Sequence, residues 1–197
     1  MSAPRRQIVE LAYHLARHGE DPLSPASLAV TEGRIRWYQE IGSTSCGDLL
    51  HCVAEACGYR GVALNRGDSW ESEVNLSRWF VPPFAHGGTR IWRPTIDQIK
   101  PGDFLCLDYE SPRAHGCVLI ANNTDWITTA DFGQPGGHVY ADQRVYRDRK
   151  SLVFRGRRID CAIDVDTLPW AEAAMTVFDF CAEHNVPLEP YTPLEYL

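Results

Sequence analysis

The chain has 197 residues, 44% of them hydrophobic and 23% charged, an ordinary globular composition that excludes extensive disorder. Its net charge of −7 excludes a strongly basic nucleic-acid footprint, and no apolar run approaches the ~20 residues that span a bilayer, so neither nucleic acid nor membrane is an expected partner. The length suits a single domain over residues 1–197 with a core of its own.

In chain order, residues 4–19 read as a helix, because Ile8, Leu11, Ala12 and Leu15 recur at helical spacing and Gly19 can end it. His14 and His18 stand at i and i+4 on it, but no Glu follows His14 in the HExxH manner, so a surface position is expected for both and no metal. Residues 20–45 are loop-rich, with Pro22, Pro25 and Gly33 and at most a short helix or turn over Arg34–Glu40. Ser45 is then a good N-cap, with Asp48 three residues on as in a capping box. The helix it starts runs to about Cys57 and stops at Gly58, with Cys46, Leu50, Val53 and Cys57 on one face.

Residues 60–95 read as irregular and rich in aromatics, among them Trp70, Trp79, Phe80, Phe84 and Trp92, with Pro82 and Pro83 breaking regular structure. After the Lys-Pro-Gly-Asp turn at 100–103 the pattern changes to strands: Phe104–Tyr109, His115–Ala121, Trp126–Phe132, Val139–Tyr146 and Ser151–Ile163. The basic run from Arg144 to Arg158, offset by Asp142, Asp148 and Asp160, reads as a solvated strand face. Trp170–His184 reads as a closing helix before a Pro-rich tail. Helices followed by a meandering antiparallel sheet predict an α+β domain. Its core is about 42–165, with an N-terminal helical extension at 1–41 and a C-terminal helix and tail at 166–197.

Seven cysteines, at 46, 52, 57, 106, 117, 161 and 181, leave at least one unpaired and form no paired CxxC knuckles, so a zinc ribbon is not expected. Most read as small buried hydrophobes in a reducing compartment. Cys46 differs. It opens a helix, where unpaired N–H groups and the positive end of the dipole favour a thiolate and can hold an oxyanion. Ser45 and Gly47 flank it as substrate or oxyanion contacts. A thiolate nucleophile needs a base, and His115 starts a strand directly after the turn 111–114. His86, in a Gly-rich loop, is the rival. The group that orients the imidazole should come from the next strand: Asp131 first, then Gln134, then Asn122. No metal or organic cofactor is needed.

Ser-Thr-Ser-Cys-Gly-Asp-Leu-Leu at 43–50, Lys-Pro-Gly-Asp-Phe-Leu-Cys-Leu at 100–107 and Ala-His-Gly-Cys-Val-Leu-Ile-Ala at 114–121 resemble, in that order, NlpC-type cell-wall peptidases and the related CHAP amidases. The resemblance covers roughly residues 42–135. It implies a papain-like core, with a nucleophilic Cys46 on a helix packed on an antiparallel sheet, His115 at the start of the second core strand, and a third member near Asp131. It implies amide hydrolysis in the peptide stems of peptidoglycan, by a phage-associated lysin or a delivered antibacterial effector that meets an immunity or delivery protein. The departures are His-Gly-Cys-Val where members more often have His-Val-Gly-Ile, and a longer, more aromatic stretch between the Cys helix and the Pro-Gly-Asp turn. Deamidation, transglutamination or acyl transfer on the same Cys–His pair, and a non-enzymatic binding module, are the alternatives. Met-Ser-Ala-Pro-Arg-Arg is followed by an amphipathic stretch and not by an apolar one. The expectation is therefore synthesis in the cytoplasm without a classical signal peptide, with any delivery to periplasm or wall by another route.

Overall fold

A computed structural model describes residues 1–18, 46–59, 89–108, 115–133, 138–170 and 182. Seven strands form one antiparallel sheet: β1 (Thr89–Trp92), β2 (Phe104–Leu107), β3 (His115–Asn122), β4 (Trp126–Gly133), β5 (His138–Asp148), β6 (Val153–Phe154) and β7 (Arg157–Asp164). The order is β1-β7-β2-β3-β4-β5-β6, and β6 also pairs with β7. Six strands therefore close into a barrel, with β1 as an extra strand. One edge of β7 is divided between two neighbours: Arg157 and Arg158 pair with β6, whereas Cys161–Asp164 pair with β1.

Alternation along the strands sorts the core into two layers. Leu105, Leu107, Cys117, Leu119 and Ile127 fill the barrel, together with Phe154 and Ile159. Phe104, Cys106, Val118, Ile120 and Ala130 point the other way, into a layer shared with the helices. Because β2 and β3 are covered on both faces, they read as unbroken apolar runs instead of an in–out alternation.

Among the described residues two α-helices supply that outer layer: α1 (Ala3–His18) and α2 (Cys46–Ala56). The stripe Ile8, Leu11, Ala12 and Leu15 on α1 is fully buried, as are Leu49, Leu50, Val53 and Ala54 on α2. Helix α2 lies over β3 and β4. Gly58, at φ +95°, takes the left-handed conformation that ends it. Arg5 anchors α1 to the sheet. It is 3% exposed and donates to Asp103 at 2.7 Å, Asp164 at 2.5 Å and Asp166 at 2.9 Å, as well as to the Pro101 carbonyl at 2.8 Å. Beside it Gly102 sits at φ +96°, where a Cβ would lie 2.8 Å from Arg5 Cγ.

This architecture overturns the expected papain-like α+β core with several helices on an open sheet. The described residues are mostly β, and their sheet closes on itself. The physical reason lies in residues 151–163, which read as one strand but fold as a tight hairpin. Arg155 and Gly156 take positive φ (31° and 85°) and turn the chain between a two-residue β6 and β7, and Leu152, at 48°, leads into β6. That reversal carries β7 back to β2 and shuts the barrel. Strand β1 was not expected, because Trp92 and its neighbours fall at the end of an aromatic, irregular-looking stretch. His14 is buried, not on the surface, since it lies on the packed side of α1. Of the closing helix expected at 170–184, residues 171–181, 183 and 184 lie outside the described residues, while Trp170 forms an isolated bridge with Tyr59; the helix or turn at 34–40 and most of the aromatic segment also lie outside, as do His86, Ser45 and Gln134.

Candidate active site

Helix α2 begins at Cys46, whose partly exposed side chain packs at the rim of the layer between helices and barrel. Cys57, Cys106, Cys117 and Cys161, by contrast, are buried. Burial pushes their thiols up, Cys161 to about 12 and the other three further, which disfavours a thiolate at each. Among the described cysteines Cys46 alone combines a helix start with access to solvent. Gly47 belongs to the same first helical turn, where backbone N–H groups have no partner within the helix.

The first residue of β3 is His115, 15% exposed; its ring hydrogen-bonds Asp131, and Cys46 lies close enough to act on its titration. Its Nε2 lies 2.5 Å from Asp131 Oδ1. Since an ionised carboxylate only accepts, Nε2 carries the proton of that bond, which leaves Nδ1 as the nitrogen for the sulfur. Asp131 sits on β4 with no exposed surface. It shares the barrel-facing side with Thr129, two residues earlier, and Ile127.

A fully buried carboxylate is costly unless it is surrounded by donors. Asp131 has three. Besides His115, Thr129 Oγ1 donates to Oδ2, and Arg144 Nη2 donates to Oδ1 at 2.7 Å. Arg144 is itself 11% exposed and reaches a second carboxylate, Asp142, at 2.9 Å. It comes from β5, directly opposite Ile127, so the ladder register aims it into the barrel. Burial would raise the pKa of Asp131, but the hydrogen bond and charge of His115, the Arg144 cation and the Thr129 hydroxyl outweigh it and hold the group below its ordinary 3.8. For His115 burial alone would lower the pKa, yet hydrogen bonds and charge from Asp131 and Cys46 carry it up to about 9. A chain of contacts thus runs Cys46–His115–Asp131–Arg144, in which the imidazole is held ready to carry a proton.

Of the residues expected at the site, Cys46, His115 and Asp131 come together. Asn122 does not. It closes the far end of β3, seven residues and roughly 23 Å from His115. There its amide donates to the carbonyls of Ile96 and Ile99 at 3.1 and 3.2 Å and accepts from the Tyr146 hydroxyl at 2.8 Å. Thr129 and Arg144 were not anticipated. Thr129 had a signal, its place two residues before Asp131 on one strand face. Arg144 had none, since its direction depends on the β4–β5 register. Among the described residues no cluster of His, Cys, Asp and Glu is arranged to hold a metal, and no described helix is long and apolar enough to cross a membrane. No family model, curated protein or solved structure matches the chain.

Proposed function

We propose that the protein is a cysteine-dependent amide hydrolase, with Cys46 as nucleophile, His115 as general base and acid, and Asp131 as the group that orients the imidazole. The observation that carries this reading is a partly exposed helix-start cysteine that acts on a histidine, itself hydrogen-bonded to a fully buried carboxylate.

In this reading His115 Nδ1 takes the Cys46 proton, and the thiolate attacks the carbonyl carbon of the substrate amide. The tetrahedral oxyanion faces the N–H groups of the first turn of α2, around Gly47. His115 returns the proton to the leaving nitrogen as the C–N bond breaks, which leaves a thioester on Cys46. A water then gives a proton to His115 and attacks the thioester, releasing the acid and the sulfur. Asp131 keeps the proton on Nε2 throughout and stabilises the imidazolium, while Thr129 and Arg144 keep Asp131 ionised and still. The three sequence blocks that resemble NlpC-type peptidases and CHAP amidases point to stem peptides of peptidoglycan as the substrate.

The test is digestion of purified peptidoglycan by the reduced protein, read as newly released amines and as stem-peptide fragments by mass spectrometry. Cleavage lost in Cys46→Ala supports the reading. If wall and peptide substrates stay intact while Gln or Asn side chains gain about one mass unit, the same residues perform deamidation. If iodoacetamide at neutral pH labels Cys46 no faster than the buried cysteines, the nucleophile assignment is wrong.

A further inference from the structure

The barrel wall is incomplete between β5 and β6. Strand β6 spans two residues and meets β5 only at Tyr146 and Asp148, so among the described residues Asp142–Val145 are laddered to β4 alone. A cavity of about 270 Å³ opens at this gap, lined by Asp142, Arg144, Phe154, Arg155 and Arg157 among others. Three arginines and one aspartate thus line it. Arg144 is engaged with Asp131 and Asp142, and Arg157 with Asp108 at 3.1 Å. Arg155 is exposed and has no ion-pair partner among the described residues. The surrounding run 144–158 carries seven Lys and Arg residues against one Asp, in a chain whose net charge is −7. Cations gathered in a concave gap of an acidic protein, one of them uncommitted, form an environment for an anion, and guanidinium forks match the planar pairs of oxygens on carboxylates and sulfate-like groups.

We propose that this gap binds a small oxyanion and that Arg144, which lines the gap and also touches Asp131, links its occupancy to the Cys46–His115 pair. The binding half stands on the cavity alone; the linkage half rests on the hydrolase reading. An anion beside Arg144 offsets the positive charge that Arg144 presents to Asp131, so Asp131 holds the His115 imidazolium more firmly. The charged and titratable groups that act on His115 are Cys46 from α2, Asp131 from β4 and, through Asp131, Arg144 from β5 with its second partner Asp142.

The experiment uses the full chain and no substrate. Sodium sulfate, which keeps its charge across the pH range, is titrated by calorimetry against chloride at matched ionic strength, and the His115 ring is followed by NMR. Saturable sulfate binding is expected, weakened at least about tenfold in Arg155→Gln, with Arg155→Lys between the two because it keeps charge but loses the fork. The His115 midpoint should rise with sulfate in the wild type and stay put in Arg155→Gln. Triglutamate that displaces sulfate would identify a peptide carboxylate as the occupant, and failure to displace it an inorganic oxyanion. Absence of saturable binding, or equal binding by Arg155→Gln, overturns the site. Binding with no movement of His115 overturns the linkage while leaving the hydrolase reading to its own test.

Discussion

Replacing Asp131 by Asn keeps the shape of the side chain and removes its charge, which isolates what that charge does. In the native protein His115 is carried from 6.5 to about 9 against the lowering effect of its own burial. At about 1.4 kcal/mol per pH unit, that gap corresponds to roughly 3 kcal/mol favouring the imidazolium, shared between Asp131 and Cys46. Asp131→Asn removes the larger partner, so the His115 midpoint should fall by one to two units, from about 9 to about 7–8. The sign fixes the effect on stability. A His with a raised folded pKa contributes stability that is complete below about pH 6.5 and is lost as pH rises through about 9. Asp131, held below 3.8, contributes stability present above that value and lost as pH falls through its folded pKa. The variant should therefore unfold more readily than the wild type between about pH 4 and 8, with the difference narrowing at both extremes. Activity should drop by about 10² to 10⁴, because the imidazole loses both its orientation and the stabilisation of its charged form. His115 NMR titration and urea unfolding across pH check these points together. An unchanged His115 midpoint in Asp131→Asn would refute the electrostatic account of the site.

Three further outcomes follow from the packing and the thiols. Arg5→Met leaves Asp103 buried without its cation, and urea unfolding should show a loss of about 3–5 kcal/mol. Gly102→Ala forces a Cβ against Arg5 at a positive φ and should cost about 1–3 kcal/mol, visible as a lower Tm, with no change in Cys46 alkylation. Under native conditions iodoacetamide should modify Cys46 first, with Cys57, Cys106, Cys117 and Cys161 reacting only on unfolding; modification of Cys106 at a rate equal to that of Cys46 would contradict the burial that separates them.

What could be read in advance was local. The Cys46 setting is written within a few residues, as a small polar stretch followed by an apolar stripe at helical spacing. The turn before His115 marks a strand start equally plainly, and the short connection to the next strand brings Asp131 alongside. Two things were not local. Barrel closure depends on Leu152, Arg155 and Gly156 adopting positive φ, which only glycine advertises; the other two are ordinary side chains that flank the two-residue β6. The contact of Arg144 with Asp131 depends on a register between strands, so a residue in a basic run that reads as solvated instead turns inward. Its neighbours Gln143 and Val145 are exposed, and the alternation is visible only once the barrel side of β5 is known.

The divided edge of β7 and the docking of α2 from outside the sheet give the reacting groups different mechanical supports. His115 and Asp131 ride on adjacent strands of one closed, hydrogen-bonded hoop, so their spacing is as stiff as the hoop itself. Cys46 arrives on a separate lever, seated against the hoop by greasy contacts such as Leu50 and Val53. Trimming those contacts tilts the lever and opens the gap between sulfur and ring while the spacing of ring and carboxylate stays fixed, so reactivity can be tuned from a layer that never touches a reacting atom.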